Sequence, residues 1–110
     1  MNRQQQIDAF LREAHRLAVG RLRADPRRLA EVVRTLDRWC AQSGATRADR
    51  YWDEWQVLLD AGVDAIEAEV CGEDDHAAAL RNVSPMGVLI TQRERGELLR
   101  AARHAADEAH

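Results

Sequence analysis

The sequence predicts an all-α protein, a compact single-domain bundle of five or six short helices. Three observations carry that expectation. Apolar residues recur at three- and four-residue steps through most of the chain, the period of helices that bury one stripe. Residues that start and stop helices punctuate these runs. The one β-like triplet, Val88-Leu89-Ile90, has no partner strand elsewhere. At 110 residues the chain supports one modest core rather than two.

The elements follow in order. Ile7, Phe10, Leu11, Ala14, Leu17, Ala18 and Leu22 share one stripe of a first helix of about five turns. Asp25-Pro26 supplies an N-cap and a proline at the first helical position. Leu29, Val32, Val33, Leu36, Trp39 and Cys40 then keep the period until Ser43-Gly44. Thr46 is placed to cap a third helix carrying Tyr51, Trp52, Trp55, Leu58 and Leu59, with Gly62 at its stop. Asp64 is expected to cap a short fourth helix with Ile66 and Val70 inward. A fifth helix, from about Asp75 to Val83, ends at Ser84-Pro85 because proline disfavours helical geometry in the residue before it. Thr91-Gln-Arg-Glu94 matches the capping box and opens a last helix with Leu98, Leu99 and Ala102, expected to fray from about residue 104. Between the last two helices, Met86 to Ile90 form an apolar connector. It serves either as a loop tucked over the bundle, turning at Gly87, or as a docking element.

Charge divides the chain. All 16 basic residues are arginine and the formal net charge is −3. Residues 1–50 hold 11 Arg against 6 acids, whereas residues 51–110 hold 5 Arg against 13 acids. From Tyr51 to Leu80 there are acids (Asp53, Glu54, Asp60, Asp64, Glu67, Glu69, Glu73, Asp74, Asp75) and no arginine. Such a block repels nucleic acid and attracts basic surfaces, or folds back on the arginine-rich half. The all-arginine, alanine-rich usage suggests a GC-rich bacterial genome. Cys40 and Cys71 form no CxxC pair, the segment after Met1 lacks the apolar stretch of a secretory leader, and no run of roughly eighteen apolar residues occurs. A cytoplasmic protein away from the membrane is expected.

Motifs for catalysis or cofactors are absent. Cys71 and His76 in CGEDDH pair a thiol with a base, but the surrounding acids oppose a thiolate, so a structural thiol is the better reading. His15, His76, His104 and His110 show no metal-ligand spacing, and DAGVDAIEAE places Ala65 where a calcium loop needs glycine. There is no GxxxxGK[ST], GxGxxG or GxSxG. No enzyme, metal or cofactor is expected.

The aromatic run YWDEWQVLLD supplies much of the aromatic content of a core with one Phe and one Tyr. Together with ALRNVSPMGVLITQRERGELL, the run RYWDEWQVLLD resembles small helical bacterial antitoxin-like proteins encoded beside toxins such as minimal nucleotidyltransferases. The likeness covers residues 50–100. Met86-Gly87 stands where that pattern has a longer, phenylalanine-containing turn, and Gly96 where it has a bulky residue. The resemblance implies a non-catalytic module whose acidic helices cover a basic partner, a toxin among the candidates. Asp53, Glu54, Asp60, Glu67, Glu69, Glu73, Asp74 and Asp75 would steer the encounter, with Met86 and Leu89 supplying apolar contact.

The alternative is a helical DNA-binding regulator contacting phosphates through Arg12, Arg16, Arg21, Arg23, Arg27, Arg28, Arg34, Arg38, Arg47 and Arg50. An adaptor with another partner, or a homo-oligomer, also fits the composition.

Overall fold

The computed structural model describes residues 2–43 and 49–108, and within them the protein is all-α, with six α-helices and two 3₁₀ turns. Helix α1 (Arg3–Ala24) opens on a capping box that the apolar pattern does not reveal. Asn2 accepts from the Gln5 backbone N–H at 2.8 Å, and Gln5 accepts from the Asn2 N–H at 2.9 Å. Its buried stripe is Phe10, Ala14, His15, Ala18, Val19 and Leu22, while Ile7, on the same sequence stripe, is exposed. Asp25 accepts from the Arg27 N–H and starts a 3₁₀ turn, Pro26–Arg28, before α2 (Leu29–Ser43). Helix α2 buries Val32, Thr35 and Leu36 and leaves Val33 and Cys40 exposed. The capping position assigned to Thr46 and the stop at Gly44 lie outside the described residues.

Helix α3 (Asp49–Ala61) buries Trp55, Leu58 and Leu59. Both of its tryptophans are anchored by their indole N–H. Trp55 donates to the Leu80 carbonyl at 3.0 Å and Trp52 to the Val83 carbonyl at 3.2 Å. Gly62 then closes α3, its N–H donating to the Leu58 carbonyl at 3.0 Å, and its φ of 109° makes a corner that side chains rarely adopt. The same residue precedes α4 (Val63–Val70) as its cap. Asp64, expected as that cap, sits in the first turn and pairs with Arg23. The glycine had already taken the boundary.

Asp74 caps α5 (Asp75–Asn82) by accepting from the Ala77 N–H at 2.8 Å. Ser84 caps the second 3₁₀ turn, Pro85–Leu89, in the same way. Thr91 and Glu94 complete the expected capping box of α6 (Gln92–Glu108), with reciprocal bonds of 2.9 and 3.1 Å. Helix α6 runs to Glu108.

Helix α1 is the axis. It packs on α4, α5, α6 and the Pro85–Leu89 turn, and α2 packs on that turn and on α3. One apolar cluster results, running through Ala18, Val19, Leu22, Val32, Leu36, Trp55, Leu58, Leu59, Ile66, Val70, Leu80, Met86 and Leu89. Long-range polar ties, these among them, hold the axis helix against the C-terminal half. Arg21 reaches both the Leu89 carbonyl (2.7 Å) and the Glu94 carboxylate (2.6 Å), His15 reaches Ser84 (2.7 Å), and Asp8 receives Arg81 (2.8 Å).

Candidate protein-docking face

The acidic block divides into working and free carboxylates. Glu67 and Asp64 bracket Arg23 at 3.4 and 2.9 Å. Glu73 takes Arg12 at 3.2 Å, Glu54 meets His76 at 2.5 Å, and Asp74 is committed to its cap. Asp53, Asp60, Glu69 and Asp75 are exposed and, among the described residues, have no hydrogen-bond or ion-pair partner. Helical spacing arrays Asp53, Val57 and Asp60 along one stripe of α3. Val57 is 68% exposed, the most exposed large apolar side chain among the described residues. Beside it a shallow groove runs between α3, α4 and α5. Val57, Leu58 and Leu80 supply its apolar lining, and Glu54 and Glu69 its carboxylates. The Glu54–His76 contact brings the start of α5, and Asp75 with it, to this side.

Met86 and Leu89 do not belong to this face. Each is only 1% exposed, and the 3₁₀ turn inserts both between α1 and α2. Their expected role as a contact surface is therefore corrected: they are core residues, and of that connector only Val88 projects to solvent. The turn places Pro85, Met86 and Leu89 on its inner side, a three-residue repeat that an eye set for a loop does not register.

The arginines of the other half are largely consumed internally. Arg12, Arg16, Arg21, Arg23, Arg27 and Arg28 each pair with an acid, and Arg50 bonds and stacks on Tyr51. Arg34 and Arg38 remain exposed and unpaired among the described residues, and Arg47 lies outside them. Arg34 and Arg38 lie one turn apart on α2.

Two arrangements escaped sequence reasoning. Arg81, the only arginine between Arg50 and Arg93, has a side chain with no exposure at all. It donates to the Val70 and Gly72 carbonyls at 2.6 and 2.7 Å and to Asp8, stitching α5 to the end of α4 and to α1. Its isolation in an acidic block was the available signal. The second is His15, whose Nδ1 donates to the Leu11 carbonyl at 2.7 Å and whose Nε2 accepts from the Ser84 hydroxyl at 2.7 Å. Burial holds its pKa down at about 4, against the partial support of the Leu11 bond, with the Arg81 charge adding to the depression. A hydroxyl beside an imidazole has nucleophile–base geometry, but here the third partner is a backbone carbonyl rather than a carboxylate, and Ser84 also accepts from the Met86 N–H. The pair ties the 3₁₀ turn to α1.

Burial, joined by the Glu67 charge, pushes the Cys71 thiol up. Among the described residues no group of three or more His, Cys, Asp or Glu is placed to hold a metal ion, and no helix is long and apolar enough to cross a membrane. Comparison with known proteins finds no matching family model, no matching curated sequence and no matching solved structure.

Proposed function

We propose that this chain is a non-catalytic protein-binding module, an antitoxin-like neutraliser that covers a basic surface of a bacterial, cytoplasmic partner. The observation that carries the reading is the α3–α4–α5 groove, with an apolar lining and carboxylates beside it that the fold does not use. A basic amphipathic helix suits it, laying an apolar side chain against Val57 and Leu58 while its Arg or Lys residues meet Glu69, Asp53 and Asp75. Free carboxylates accelerate encounter; the apolar contact sets how long the complex lasts.

The test begins with the proteins encoded beside this one, a basic one first, purified and bound in real time. Reversing Asp53, Glu69 and Asp75 to Arg is expected to slow association and flatten its salt dependence, with thermal melting nearly unchanged because exposed charges contribute little to stability. Val57→Asp is expected to speed dissociation. Binding indifferent to both changes defeats the proposal. So does specific binding of the chain's own upstream DNA at physiological salt, which returns the regulator reading.

A further inference from the structure

A cleft of about 170 Å³ opens where α1, the end of α5, the Pro85–Leu89 turn and the start of α6 meet, and it shares no residue with the acidic groove. Phe10, Leu11 and Ala14 of α1 and Met86 and Ile90 supply its apolar lining. The polar lining comes from His15, Arg81, Asn82, Ser84 and Arg95, with no Asp or Glu among them. In an acidic chain whose N-terminal arginines mostly have carboxylate partners, this is a local excess of positive charge.

One donor there is both unmet and open to solvent. The Arg95 guanidinium has no hydrogen bond or ion pair among the described residues, and it lies close over Gly87, where an added Cβ would meet Nη2 at 3.1 Å. Arg81 spends both terminal nitrogens on Asp8, Val70 and Gly72, and its Nε–H is buried with no acceptor. With no accessible surface, that atom is out of reach of a molecule in the cleft. His15 has already engaged both ring nitrogens and adds no charge.

We propose that this cleft binds a small monocarboxylate with an apolar body. Its carboxylate takes the Arg95 guanidinium, and its hydrocarbon lies along Phe10, Leu11, Met86 and Ile90. Charge selects the monoanion. Asp8 already balances Arg81, so Arg95 leaves a single positive charge, which a carboxylate neutralises and a phosphate dianion would overshoot. Volume selects the size, because the cleft lies below the roughly 300–1,000 Å³ of sites that take drug-sized ligands. A short aliphatic acid or a single-ring aromatic acid is the right scale.

The experiment titrates the full chain with hexanoate, acetate and inorganic phosphate while following the backbone amide resonances of Asn82, Gly87 and Arg95. Hexanoate is expected to produce saturable shifts at all three, acetate to bind more weakly, and phosphate not to saturate. Arg95→Gln should weaken hexanoate at least tenfold with an unchanged melting temperature, since Arg95 is exposed. Gly87→Ala, which crowds the Arg95 guanidinium, should weaken it less. Absence of saturable hexanoate shifts overturns the proposal, as does an affinity that Arg95→Gln leaves intact, phosphate binding as tight as hexanoate, or equal affinity for acetate and hexanoate. Since the acidic groove uses other residues, failure here leaves the protein-binding reading standing.

Discussion

His15 keeps its ring neutral in the core, and acid should therefore weaken the fold. In the unfolded chain it takes a proton near pH 6.5, whereas burial lowers the folded value to about 4. Between these values the unfolded state holds more protons, so stability is fully present above pH 6.5 and falls with pH down to 4, by on the order of 3 kcal/mol. Glu94 adds a second loss below it. Hydrogen bonds from Arg21, then from the Thr91 backbone, hold its carboxyl down at about 2, and that contribution is present above pH 4.5 and disappears as pH falls toward 2. Urea unfolding at pH 7 and pH 4.5 measures the first loss, and His15→Gln should flatten it. Arg81→Met tests the buried guanidinium: it strips Asp8 and two buried carbonyls of their donor and should cost roughly 3–5 kcal/mol in the same assay. Neither residue was legible as a tie. A sequence shows that His15 lies near an apolar stripe and that Arg81 is alone among acids, but the Ser84 and Asp8 partners stand 69 and 73 positions away.

Elements were easier to read than their contacts. The Thr91–Glu94 box, the break at Ser84-Pro85 and the stop at Gly62 depend on neighbours within one or two turns, and local chemistry fixes them. The apolar connector resisted because either of its faces could have been the outer one. A 3₁₀ turn stacks each residue over the one three positions before it, and that geometry buries Met86 and Leu89 and leaves Val88 outside. The two sides should respond differently to charge. Met86→Asp is expected to lose at least about 3 kcal/mol, because a charge enters a core with no partner for it. Val88→Asp should stay within about 0.5 kcal/mol of the parent. Thermal melting of the two variants side by side checks both the face and the direction of the turn.

At the scale of the molecule, the charge asymmetry was legible but its allocation was not. Composition shows an arginine-rich half and an acidic half. Only the fold shows that Arg23, Arg12 and Arg21 cross between them and leave Asp53, Asp60, Glu69 and Asp75 unspent. The axis helix has a further consequence, which concerns the order of synthesis. Helix α1 leaves the ribosome before α4, α5, α6 and the Pro85–Leu89 turn that cover its stripe. At about 5–20 residues per second, Phe10, Val19 and Leu22 wait several seconds for their cover. A fragment of residues 1–61 should accordingly show little cooperative melting by circular dichroism. The newborn chain is therefore expected to recruit chaperones that hold apolar helices until translation reaches the residues that enclose them, and co-purification with ribosome-stalled chains of increasing length checks it.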